Sequence, residues 1–188
     1  MSSALPLTTA LLDAAGLPDD LAVRPEIDAD RSFLAALYAS TRERELEAAS
    51  HWSDAQRQQF LAMQFDAQHA HYREHFGDAE FAIIERAGVP IGRLYLQRRE
   101  DEIRLIDIAL NADQRGDGLG TAMLEALLGL AEQAGLAVRL HVEHFNPALR
   151  LYQRLGFKLV EDRGVYCFMA WQPPAVGRHE PPQAKTAS

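Results

Sequence analysis

The chain is poor in cysteine, with a single one, Cys167, among 188 residues. No internal disulfide can form, which fits a reducing, cytoplasmic compartment. Cys167 lies in the apolar run Val165 to Trp171 and reads as a small buried hydrophobe. No apolar stretch approaches about 18 residues, so no membrane-spanning helix is expected. Residues 1–20 have no basic segment ahead of their apolar residues, which argues against a secretory signal. Positive charge is in deficit, with 19 Lys and Arg against 27 Asp and Glu and a formal net charge of −8. A general nucleic-acid surface is therefore not expected. Internal repeats are absent as well.

What is present is enough apolar content, 47% of the residues, to bury the core of one domain. The stretch that organises it is Gln114-Arg115-Gly116-Asp117-Gly118-Leu119-Gly120-Thr121. Before it, Ile103 to Leu110 is short and rich in apolar and β-branched residues, as a buried strand requires. After it, Met123, Leu124, Leu127, Leu128 and Leu130 recur at helical spacing up to Gly135, a C-cap candidate. The glycines thus join a strand to a helix. They permit unusual φ and let a ligand reach the backbone without a Cβ in the way. The first amides of the helix have no internal partners and, with the macrodipole, suit a phosphate. Arg115 adds a planar cation.

Two phosphate motifs fail here. The P-loop needs Lys-Ser/Thr after its last glycine, where this chain has Thr121-Ala122. The dinucleotide pattern needs a third glycine, where this chain has Met123. What fits is Arg-x-x-Gly-x-Gly, formed by Arg115, Gly118 and Gly120. That pattern resembles the acetyl-coenzyme A loop of the GNAT acetyltransferase superfamily. A second stretch, Asn146-Pro147-Ala148-Leu149-Arg150-Leu151-Tyr152-Gln153-Arg154-Leu155-Gly156-Phe157, resembles the segment that closes the GNAT core. Asn146 suits an N-cap, Pro147 a first helical position and Gly156 a helix end. The resemblance covers about residues 22–172.

In chain order, residues 1–20 read as a loose N-terminal extension with a short helix near Thr9 to Ala15. A strand at Leu21 to Arg24 ends at Pro25. A helix capped by Asp28 or Asp30 runs to about Ala48. Ser53 caps a second helix with Phe60, Leu61, Gln64, Phe65, Gln68, Tyr72 and Phe76 along one side. Strands follow at Phe81 to Arg86 and Ile91 to Arg98. After the glycine loop and its helix come strands at Ala137, Phe157 and Val165. The domain is thus expected over 21–172, with 173–188 as a disordered, proline-rich tail.

The resemblance implies a mixed, twisted α/β sheet of six to seven strands with about four helices. It implies that the central strand and the strand after its helix run parallel and splay apart. Acetyl-CoA as cosubstrate would then contact the backbones of Ile108, Ala109 and Leu110, the loop Arg115, Gly116, Asp117, Gly118, Leu119, Gly120 and Thr121, and Asn146. Asn146 stands one residue closer to Tyr152 than is common in the family. Tyr152 matches the tyrosine that protonates the leaving thiolate. Attack by an amine on a thioester needs the amine deprotonated, because lysine-like amines have a pKa of about 10.4. A carboxylate on the central strand is the family's usual base. Arg104 stands where some members carry it; Glu102 and Asp107 on this strand and Glu143 just past the parallel one are the candidates, with Glu102 acting through an intervening water preferred. The implied partners are acetyl-CoA and an amine acceptor, with a homodimer as a candidate assembly and neither nucleic acid nor membrane. The segment Thr41 to Asp54, with Arg42, Glu43, Arg44, Glu45, His51 and Trp52, would wall the acceptor site without naming the acceptor.

Two alternatives stand beside this reading. One is a non-catalytic CoA-binding module. The other is a zinc hydrolase, because His71-Tyr72-Arg73-Glu74-His75 fits H-x-x-E-H.

Overall fold

The computed structural model describes residues 6–13, 16–43, 46 and 51–174. Its frame is a seven-stranded sheet: β1 (Leu21–Pro25), β2 (Glu80–Arg86), β3 (Val89–Arg98), β4 (Glu102–Leu110), β5 (Ala137–Glu143), β6 (Lys158–Asp162) and β7 (Tyr166–Trp171). The spatial order is β1-β2-β3-β4-β5-β7-β6, and only the β4–β5 pair is parallel. Five α-helices are described: α1 (Leu7–Leu12), α2 (Arg31–Thr41), α3 (Asp54–His75), α4 (Leu119–Ala134) and α5 (Leu149–Arg154). None is long and apolar enough to cross a membrane.

The helices cover both faces. On one face, α1, α4 and α5 share a core with the sheet that includes Leu11, Leu94, Leu105, Met123, Leu127, Val138 and Tyr152. The single cysteine, Cys167, is buried in this core. On the other face, Leu34, Tyr38, Phe65 and Ile83 form a smaller cluster beneath α2 and α3.

Crossover from β4 to β5 runs through α4, as a parallel pair requires. Gly135 ends α4 at φ 66°, and the Leu136 N–H bonds the Ala131 carbonyl at 2.9 Å. A left-handed glycine is the usual way to close such an end. Ser53 and Gln56 form a reciprocal capping box that starts α3.

Two expectations change. The segment ahead of residue 21 is not loose throughout. Leu7 and Leu11 are buried in the main core, and Glu80 accepts bonds from the Leu7 and Thr8 amides at 2.7 and 2.9 Å. A carboxylate at a helix start suits its free amides and dipole. The side of α3 that looked like an apolar stripe buries only Phe65 fully. Its Gln68 and Tyr72 carry hydrogen bonds into the protein instead. The tail expected from 173 lies, from 175 on, outside the described residues.

Candidate active site

The site begins with a defect in strand pairing. β4 and β5 pair from Glu102 with Ala137 to Leu105 with Leu140, and no further. Yet β4 continues to Leu110 along β3, and β5 continues to Glu143 along β7. The register along β3 skips Ile106, with Leu96 opposite Leu105 and Tyr95 opposite Asp107. An extra residue bends a strand and increases its twist. The bulge therefore sits where β4 turns away from β5. Beyond it, every second residue of β4 turns its N–H and C=O into the gap between the strands. Ile108 and Ala109 are half-buried there, and Leu110 is buried.

The gap leads to the glycine loop. Gly116 and Gly118 have φ of 94° and 84°, and Gly118 is the residue before α4. A Cβ at either position would meet no atom within 4 Å. These glycines serve backbone conformation and open space, and packing makes no demand for them. The first intrahelical bond of α4 runs from the Ala122 N–H to the Gly118 carbonyl, at 2.9 Å. The amides of Leu119, Gly120 and Thr121 precede it and are offered forward. Free amides at a helix start suit an anion.

Arg115 belongs to the loop in a different way from that expected. Its guanidinium bonds the Leu110 carbonyl at 2.8 Å and the Ser40 hydroxyl at 2.8 Å. It ties the end of β4 to the end of α2. Asp117 is exposed.

Tyr152, on α5, is 7% exposed and packs edge-on to Phe157 with ring centroids 5.5 Å apart. Burial pushes its phenol pKa up, and the charge of Asp107 pushes it further. Asn146 is exposed, and its Oδ1 accepts the Ala148 N–H at 2.9 Å. The helix itself starts at Leu149, later than Pro147, and Asn146 caps the turn that leads into it.

Asp107 is the carboxylate on β4 beyond the bulge. It accepts bonds from Arg93 at 2.6 Å and from the Tyr72 hydroxyl at 3.1 Å. Arg93 is buried and also donates to Gln68 at 2.8 Å. Tyr95, opposite Asp107, donates to Glu26, which Arg73 also reaches at 2.5 Å. Residues 68 and 72 passed as helix stripe in the sequence, although the polar ends of Gln and Tyr were the available signal.

Glu102, the base preferred from sequence, is placed elsewhere. It opens β4, opposite Ala137, at the closed end of the seam. Nine residues of strand put it roughly 26 Å along β4 from Leu110. It is 1% exposed and held by Arg104 at 2.7 Å, Arg139 at 2.6 Å and Arg99 at 3.3 Å. Burial raises its pKa, but the guanidiniums of Arg104 and Arg139 outweigh that and leave it low. Glu102 is thus the centre of an ion cluster in which both of its oxygens are paired, an environment that does not favour it as a proton acceptor. Glu143, the third candidate, is gripped by Arg42 through contacts of 2.9 to 3.1 Å. Arg42 thereby joins α2 to the free end of β5. Trp52 packs edge-on to Phe60 at 5.1 Å, and Arg44 and Glu45 lie outside the described residues.

His71 and His75 stack ring on ring, 4.1 Å apart, and the His75 Nδ1 lies 3.0 Å from the His71 carbonyl. Among the described residues no three His, Cys, Asp or Glu side chains come together to hold a metal ion.

A mixed sheet whose parallel pair parts beside a glycine turn and a helix N-terminus defines the class, an acyl-CoA-dependent transferase fold. The model of the Acetyltransferase (GNAT) family matches residues 38–157, and the chain belongs to that family. It is an acetyltransferase by family, with acetyl-CoA as the family's cosubstrate. Among solved structures it is similar to the PaiA N-acetyltransferase of Thermoplasma acidophilum in complex with coenzyme A. That match has a TM-score of 0.59 and 16% identity, over 81% of this chain and 98% of that one. It is also similar to the ribosomal-protein-S18-alanine N-acetyltransferase of Escherichia coli, with a TM-score of 0.51 and 20% identity, over 85% and 97% of the two chains. A GNAT family acetyltransferase from Elizabethkingia anophelis with acetyl-CoA bound gives a TM-score of 0.52 and 13% identity, over 82% and 99%.

Proposed function

We propose that this protein transfers an acetyl group from acetyl-CoA to a primary amine by direct attack within a ternary complex. The observation that carries the reading is the seam of β4 and β5. Its pairing stops at Leu105 and Leu140, and the gap runs to a glycine loop whose Cβ positions are open.

In this reading the diphosphate rests on the Gly116–Gly118 loop and the Leu119, Gly120 and Thr121 amides. The backbone of Ile108, Ala109 and Leu110 lines the arm's path, and Asn146 stands at the edge of the same gap. Bound acetyl-CoA supplies an activated thioester. A backbone N–H of β4 past the bulge faces the gap, where it can stabilise a developing oxyanion. Asp107 accepts the proton that the amine must lose. Arg93 and Tyr72 orient its carboxylate. Tyr152 holds a proton for the departing thiolate, and its raised pKa keeps that proton in place at ordinary pH.

A thiol-release assay with acetyl-CoA and a panel of primary amines tests this reading. Release above background hydrolysis with at least one amine is expected. Binding of CoA with no release for any amine would support a non-catalytic module.

A further inference from the structure

Acetyl transfer leaves one row of side chains unused. His141 is the first residue of β5 beyond its last partner on β4. Its ring stacks on Phe168 of β7, with centroids 4.7 Å apart and planes inclined by 23°. Arg104 reaches its Nδ1 at 3.3 Å, and Arg163 reaches its Nε2 at 3.2 Å. Both guanidiniums also lie over Phe168, 5.3 and 5.2 Å from its centroid. His141 and Arg163 are exposed, and Arg104 and Phe168 are half-buried.

The hydrogen bonds of this row do not balance. Arginine only donates, and a neutral imidazole has one N–H and one lone pair. So only one of the two arginines can bond the ring, and the other turns N–H toward N–H. Protonating His141 would set both arginines against it, and its pKa is indeed held low, by burial and then by these two charges. The charges do not balance either. Glu102 is shared by Arg99, Arg104 and Arg139, while Glu161 pairs with Arg163. Among the described residues, Asp101, at 3.7 Å from Arg139, is the one further carboxylate paired with these arginines. Four guanidiniums thus face three carboxylates, in a chain whose formal net charge is −8. A local excess of the minority charge, built on a flat aromatic floor, matches an anion that accepts from both arginines.

We propose that Arg104, His141, Arg163 and Phe168 anchor an anionic group, carboxylate or phosphate, carried by the acceptor beside its amine. The inference rests on the acetyl-transfer reading, because it is the splay point that makes this row a neighbour of the chemistry. The acceptor is then an amino acid or an amine phosphate, and a plain alkylamine is disfavoured.

Ethanolamine, β-alanine and O-phosphoethanolamine share a two-carbon amine and differ in the distal group. Calorimetry on the protein saturated with CoA should show β-alanine or O-phosphoethanolamine binding at least about tenfold tighter than ethanolamine. The tighter of the two identifies the anion. Arg163→Gln should erase most of that preference with CoA affinity unchanged. Inorganic phosphate should also shift the His141 ring proton resonance in the wild type and leave it unmoved in Arg163→Gln. Normal CoA binding with no preference among the amines and no phosphate shift overturns the anchor alone. Absent CoA binding overturns the acetyl-transfer reading instead.

Discussion

Arg93 lies 2.6 Å from Asp107, and the two residues sit on neighbouring strands just past the bulge at Ile106. Arg93 is buried, so its charge depends on that carboxylate. Arg93 and the Tyr72 hydroxyl thereby fix the Asp107 carboxylate just beyond the last paired residue of β4 and β5.

Asp107→Asn should lower kcat by ~10²–10⁴-fold with little change in CoA affinity. It should also lower stability, because it leaves Arg93 with a neutral partner. A purely structural Asp107 would lower the melting temperature while leaving the pH dependence of kcat/KM intact. That result would remove it from the chemistry.

Tyr152→Phe should reduce kcat and spare CoA binding. The pH profile adds a sign. Burial disfavours the phenolate, so the proton leaves only well above the free value of about 10. The wild-type rate should therefore show no alkaline fall up to about pH 10. A fall below that pH which vanishes in Tyr152→Phe would contradict the raised pKa, and an unchanged kcat in Tyr152→Phe would contradict the assignment.

Glu102→Gln should behave as a stability mutation. Removing the buried carboxylate that three arginines share should cost about 3–5 kcal/mol in denaturant unfolding. The folded pKa of Glu102 is lowered, so its contribution is present above the unfolded value of about 4.3 and is lost as pH falls through the folded value. The variant should thus lose less stability than the wild type on acidification below about pH 4.3. A large drop in kcat with unchanged stability would return Glu102 to the chemistry.

Leu11→Ala tests the docking of α1. Leu11 is fully buried, so the substitution should cost about 2–5 kcal/mol. A cost near zero by urea unfolding would mean that α1 is peripheral.

The parts of the site that were legible in the sequence are those set by local physics. Gly116, Gly118, Gly135 and Gly156 mark left-handed turns, and such marks need no tertiary knowledge. The strand, loop and helix around Arg115 followed from them. The ion cluster around Glu102 was not legible because it depends on register. Arg139 comes from a strand 37 residues away, and only the parallel pairing brings it to Glu102. The bulge at Ile106 leaves no mark in composition, so the point of splay and the position of Asp107 just beyond it were hidden too. Arg115 reads as a phosphate ligand on its chemistry alone, and its bond to Ser40 spans 75 residues. The docking of α1 draws on Glu80, 72 residues from Thr8 along the chain.

The central claim is that the splayed seam and its glycine loop hold CoA. Calorimetric titration of CoA into wild type, Gly118→Asn and Gly118→Glu tests it most directly. Asn tolerates the left-handed φ of 84°, so the first variant should keep the fold while filling the cradle. The second adds a negative charge at the same place. The wild type should bind, Gly118→Asn should bind more weakly and Gly118→Glu should show no measurable binding, with far-ultraviolet circular dichroism unchanged throughout. Equal CoA affinity in all three proteins would contradict it.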